Sequence, residues 1–159
     1  MATKLLFVCS GNITRSPIAA ALAVEQALTL AIDVEVQSAG TLRIDGAPAN
    51  VQMEAAAREV GIDLSRHRSQ PLTEELVRWA DFIAAMEPHH LEAIEALDPV
   101  ARDRSRALGS FVGKPEIVDP TGSWFIGPYR RTRDELRLAV ERFLFDVLRP
   151  SRPSPEPGE

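Results

Sequence analysis

The sequence predicts an α/β fold in which a parallel sheet is covered by helices on both faces. Three observations carry that expectation. Short apolar runs alternate with amphipathic stretches, and parallel strands need crossover connections of about a dozen residues or more, which the intervening helices supply. The 159 residues suffice for one domain with a real core and are too few for two ordinary ones. Hydrophobic residues make up 45% and charged residues 26%, the usage of soluble globular chains, so neither disorder nor a fibrous repeat is indicated.

Lys4-Leu5-Leu6-Phe7-Val8 reads as a first strand running into a Gly-Asn turn. Ser16-Pro17 then opens an Ala-rich helix to about Leu30, with Ser16 as N-cap and Pro17 at the first helical position. Asp33 to Gln37 alternates polar and apolar as a second strand, ended by Ser38-Ala39-Gly40-Thr41 and followed by a loop to Ala49. A helix from Asn50 to Val60 is stopped by Gly61. Thr73 caps a short helix whose first turn holds Glu74 and Glu75, where the macrodipole favours them. Asp81 to Met86 reads as a buried strand, Pro88 to Leu97 as a helix and Ser105 to Phe111 as a fourth strand. After the loop carrying Asp119-Pro120, Thr132 and Glu135 read as a capping box opening a helix with Leu136, Val140, Phe143, Leu144, Val147 and Leu148 on one stripe. The domain is expected to span 1–149, and the Pro- and Ser-rich segment 150–159 to be a disordered tail.

The net charge of -5 argues against a sequence-independent grip on nucleic acid, which needs clustered Lys and Arg. The arginines at 102–106 and 130–133 read as solvated faces. No apolar run is long enough to span a bilayer and no signal-peptide pattern opens the chain, so a cytoplasmic protein is the default expectation. One cysteine excludes an internal disulfide and a multi-thiolate zinc site. His89 and His90, at a helix start, read as solvent-facing rather than as metal ligands. No metal and no cofactor is called for.

A lone cysteine is ordinarily a small buried hydrophobe. The neighbours of Cys9 suggest otherwise, because Arg15 follows it by six positions and a helix start comes next, at the carboxyl end of a strand, where ligands sit in such sheets. The N-H groups of Ser10, Gly11, Asn12, Ile13 and Thr14 can turn inward as a nest, Gly11 permits a positive φ, and the helix dipole points at the same spot. Arg15 offers two parallel hydrogen bonds to phosphate oxygens. The same groups favour a thiolate, and Ser16 is placed to donate to the sulfur. A loop of this kind is suited to binding phosphate and attacking phosphorus. The other common phosphate loop, with Gly-Lys-Ser or Gly-Lys-Thr, is absent.

The stretch Leu6-Phe7-Val8-Cys9-Ser10-Gly11-Asn12-Ile13-Thr14-Arg15-Ser16-Pro17 resembles the signature of the low-molecular-weight protein tyrosine phosphatases. The resemblance continues through Ser38 to Thr41, the turn containing His67, the 81–86 run and Asp119-Pro120, and so covers about residues 3–148. It implies a four-stranded parallel sheet and a phosphatase working through a phosphocysteine, with Cys9 as nucleophile and Arg15 binding phosphate. Asp119 matches the family's general acid and base, although Asp-Pro is also a common turn starter. Asn12 and Ser38 match a pair that shapes the loop, and His67 matches a histidine with a structural role beside it.

Two departures bear on substrate. Asp119-Pro120 is followed by Thr121-Gly122-Ser123 and only then by Trp124-Phe125, and the loop from Leu42 to Pro48 has no aromatic. Thr14 stands where many members carry a second cysteine. The segment from Asp119 to Leu136 is closer to bacterial members, which include protein arginine phosphatases with a threonine at the position of Ile13. The apolar Ile13 favours phosphotyrosine, with phosphoarginine as the alternative. The expected partner is a phosphorylated protein or small aryl phosphate, and the expected state a monomer or weak dimer. An arsenate reductase of the same fold needs further cysteines, which are absent. A non-catalytic phosphoprotein-binding module would be favoured by loss of Cys9, Arg15 or Asp119, and all three are present.

Overall fold

The computed structural model describes residues 1–148; the expected tail lies outside them. Four parallel strands, β1 (Thr3–Cys9), β2 (Val34–Gly40), β3 (Phe82–Ala85) and β4 (Ser105–Ala107), lie in the order β2-β1-β3-β4. The central β1 is buried on both faces, which explains why it reads as a continuous apolar run. Leu5, Phe7 and Cys9 face one core, together with Ile18, Leu22, Met53, Phe143 and Leu144. Leu6 and Val8 face the other, with Val77, Ile83, Leu91 and Ile94.

The first core is roofed by α1 (Arg15–Thr29), α2 (Val51–Arg58) and α5 (Gly127–Leu148), and the second by α3 (Glu74–Trp79) and α4 (Pro88–Leu97). Asn50 caps α2 by accepting from the N-H groups of Gln52 and Met53, and Thr73 caps α3 through Leu76 N-H. No helix of the described residues is long and apolar enough to cross a membrane.

Several sequence expectations are corrected. Ser16 is not an N-cap: α1 begins at Arg15, and the Ser16 hydroxyl is turned inward to Cys9 and Asn12. Thr132 and Glu135 do not open the last helix, which starts at Gly127, because Pro128 preorganises an earlier turn and buried Tyr129 belongs to it. The fourth strand stops at Ala107, where its partner β3 ends, and a 3-10 turn over Leu108–Val112 follows. A Cβ on Gly109 would stand 2.9 Å from the Lys114 carbonyl, so that turn needs glycine. The second strand runs three residues further than expected and pairs Ser38, Ala39 and Gly40 with Phe7, Val8 and Cys9. Two arginines are not solvated: Arg133 is buried against the Ala56 carbonyl and Glu59, and Arg104 donates to the Val77 and Ala80 carbonyls. His90 is also buried, not solvent-facing as expected, while His89 is exposed.

Candidate active site

The segment from Cys9 to Arg15 wraps over the carboxyl end of β1, so the first turn of α1 points its N-H groups at the same spot as the Cys9 side chain. Cys9 Sγ accepts from Asn12 N-H at 3.2 Å and lies 2.9 Å from Ser16 Oγ. The Ser16 oxygen is itself hydrogen-bonded by the Asn12 amide at 2.8 Å, which leaves its proton to donate to sulfur. Both groups can donate to the sulfur.

Asn12 holds the loop in shape. Its φ is 55°, a left-handed backbone that asparagine tolerates better than most residues. Its side-chain amide donates to Ser16 and Ser38, its Oδ1 accepts from Gln70 N-H, and its carbonyl accepts from His67 Nε2 at 2.7 Å. Ser38 and His67 both bond to Asn12, the residue at the centre of this loop. Burial holds the His67 imidazole below its ordinary value, with the Asn12 bond acting in the opposite sense. Gly40 lies beneath: a Cβ there would meet the Ser10 carbonyl at 2.6 Å and Asn12 N at 2.9 Å.

Arg15 is 1% exposed, yet it lines the cavity with Cys9. Its Nη1 donates to the Ile117 carbonyl at 2.7 Å, and its Nη2 lies 2.8 Å from Glu87 and 3.6 Å from Asp119. With five N-H donors in the guanidinium, Nε and part of each terminal nitrogen remain for an incoming anion. Burial pushes the Glu87 carboxyl up, but the hydrogen bond and charge of Arg15 outweigh it and hold the group below its ordinary value. A buried arginine without such a partner would be strongly destabilising.

Asp119 stands across the cavity, where its Oδ1 accepts from Thr121 N-H. The Thr121 and Thr14 hydroxyls lie 2.8 Å apart and tie the aspartate loop to the phosphate loop. The cavity is lined by Cys9, Ser10, Gly11, Ile13, Thr14 and Arg15 below and by Leu42, Ile44, Asp119 and Thr121 at its sides. The sequence-predicted residues are thus brought together. Trp124 and Phe125 are 91% and 77% exposed and form no part of the lining; the apolar wall is aliphatic.

Sequence reasoning missed Glu87, Gln70, the Ile117 carbonyl and the packing role of Gly40. Glu87 carried a faint signal, an acidic residue at the carboxyl end of a buried strand. Glu87, His89 and His90 also place three ligand-type atoms within 4.8 Å of one another. Two of the three have other partners: Glu87 is paired with Arg15, and His90 Nδ1 accepts from the N-H of Glu87.

A small parallel α/β protein whose β1-α1 loop encloses a cysteine and a buried arginine, with an aspartate opposite, defines a phosphatase class. The chain belongs to the low molecular weight phosphotyrosine protein phosphatase family, whose model matches residues 4–152. A protein-arginine-phosphatase of Geobacillus stearothermophilus is 39% identical over 147 residues, covering 89% of this chain and 94% of that one. The probable low molecular weight protein-tyrosine-phosphatase AmsI of Erwinia amylovora is 31% identical over 135 residues, covering 84% and 85%. Among solved structures, a YwlE arginine phosphatase variant with a phosphorylated active site serine aligns with a TM-score of 0.85 and 33% identity, covering 94% of this chain and 99% of that one.

Proposed function

We propose that the protein hydrolyses phosphotyrosine in protein substrates through a phosphocysteine on Cys9. The observation that carries this reading is the convergence of Cys9 Sγ, Arg15 and Asp119 on one cavity, with Ser16 and Asn12 N-H aimed at the sulfur.

The thiolate of Cys9 attacks phosphorus, an S-P bond forms, and the ester P-O bond breaks. The departing phenolate takes a proton from the Asp119 carboxyl. Arg15 and the N-H groups of residues 10–14 follow the charge as it moves onto the equatorial oxygens. In the second half, Asp119 as carboxylate draws a proton from water, the water oxygen attacks phosphorus, and Cys9 leaves as a thiolate steadied by Ser16. The aliphatic wall of Ile13, Leu42 and Ile44 suits a flat aromatic ring better than a charged guanidinium. The phosphorylated serine in the similar arginine phosphatase supports a covalent intermediate. The same relatives favour phosphoarginine as the second reading.

The deciding experiment is steady-state hydrolysis of matched phosphotyrosine and phosphoarginine peptides by wild type, Cys9→Ser and Ile13→Thr. The expected result is a higher kcat/KM for phosphotyrosine, no turnover by Cys9→Ser, and a shift toward phosphoarginine in Ile13→Thr. Cys9→Ser activity within tenfold of wild type overturns the mechanism, and a reversed preference overturns the substrate.

A further inference from the structure

His90 is buried at the start of α4, and the phosphatase mechanism leaves it without a task. Its surroundings fix its tautomer. The backbone N-H of Glu87 points at His90 Nδ1 at 3.0 Å, and a backbone N-H can only donate. The neutral ring therefore carries its proton on Nε2, 2.9 Å from Ser10 Oγ. Burial, with the charges of His89 and Arg15 acting in the same sense, pushes the His90 imidazolium down to about 4, so the neutral ring is the one present near pH 7.

The direction of the chain of bonds follows. Ser10 Oγ accepts from His90, and His90 is the sole partner of that hydroxyl among the described residues. The Ser10 proton has no lone pair to turn toward on His90. Ser10 lines the cavity beside Cys9, Gly11 and Arg15. We propose that His90 is a positioning residue that fixes the Ser10 hydroxyl as a one-way donor into the cradle, where it binds a phosphoryl oxygen in addition to the backbone nest and Arg15. This rests on the phosphatase reading and extends it: the cradle holds a side-chain donor whose polarity is set from outside the loop.

The test is calorimetric binding of inorganic phosphate, which needs no turnover, together with kcat/KM on an aryl phosphate. A hydrogen bond to a charged group is worth roughly tenfold or more in affinity. Ser10→Ala and His90→Phe are each expected to weaken phosphate binding about tenfold. The double variant should be no weaker than Ser10→Ala alone, because His90 acts through Ser10. Ser10→Thr, which keeps the hydroxyl, should bind nearly as wild type, and His90→Gln, which keeps an N-H donor, should recover part of the loss. Unchanged phosphate binding in Ser10→Ala overturns the proposal, as does a double variant weakened about a hundredfold. If His90→Phe does not fold, Ser10→Ala, Ser10→Thr and His90→Gln decide. Failure of the phosphatase reading is seen separately, as wild-type hydrolysis that does not depend on Cys9.

Discussion

Replacing Gly40 by alanine adds one methyl group beneath the phosphate loop, and the structure says where the strain goes. The new Cβ would lie 2.6 Å from the Ser10 carbonyl oxygen, 2.9 Å from Asn12 N and 2.9 Å from Gly11 C, all backbone atoms. Reaching even 3.0 Å from the Ser10 oxygen requires about 0.4 Å of movement, and ordinary contact at 3.4 Å about 0.8 Å. The strand cannot yield, because Gly40 N-H donates to the Gln70 carbonyl, its own carbonyl accepts from Leu72 N-H, and Thr41 N-H is held by the Cys9 carbonyl. The loop must lift, taking with it the Asn12 N-H that reaches Cys9 Sγ. A displacement approaching 1 Å costs on the order of 10²-fold in rate. Overpacking costs about 1–3 kcal/mol, or roughly 2–12 °C in Tm for a domain of this size. The assay is kcat/KM on an aryl phosphate beside a thermal melt, with Gly61→Ala as control. Gly61 has φ +80° and open space around it, so its alanine variant should lose about 1–2 kcal/mol from backbone strain yet keep its kcat/KM. A Gly40→Ala enzyme within threefold of wild type would refute the reasoning.

Three further outcomes are expected. Asp119→Asn should slow hydrolysis of esters with poor leaving groups far more than that of an activated aryl phosphate; equal losses on both would make Asp119 a structural turn residue. Because His90 is held near 4 in the folded protein against an ordinary 6.5, unfolding takes up a proton as the pH falls. Its contribution is present above about pH 6.5 and is lost between there and pH 4, up to roughly 3 kcal/mol, and urea melts of wild type against His90→Gln across that window should converge at the acid end. The single cysteine leaves no internal thiol to trap a sulfenic acid, so peroxide-treated wild type should recover poorly with dithiothreitol, and bound phosphate should slow the loss. Thr14→Cys should recover better, scored against its own starting activity because it also loses the Thr14 to Thr121 hydrogen bond; equal recovery would remove any protective role for a second thiol.

The residues from Cys9 to Ser16 were legible because they act within one turn of chain, where spacing is geometry. Asn12 and Ser38 could be paired through the family resemblance, and the register of β1 on β2 brings them together. Glu87, Gln70 and the Ile117 carbonyl were not legible. They reach the loop only after β3 and the 67–71 and 114–117 segments pack beside it, and a lone glutamate or glutamine in sequence carries no trace of that. His90 was misread because its polarity suggested solvent, whereas the Glu87 N-H and Ser10 hydroxyl satisfy both ring nitrogens in the interior. The Thr132 capping box is a local pattern overruled by Pro128, four residues earlier, in the first turn of a helix that starts sooner.

The Asn12 side chain reaches Ser16 on α1, Ser38 on β2 and the backbone of Gln70 at once. A cradle assembled from such distant parts of the chain exists only when the whole sheet does, so an anion bound there discriminates completely between the native and unfolded ensembles. At a phosphate concentration about a hundred times its dissociation constant, the native state gains roughly 2.7 kcal/mol. Phosphate or a phosphorylated substrate bound in this cradle thereby acts as a folding ligand, and resistance to heat or proteolysis becomes a readout of how full the site is.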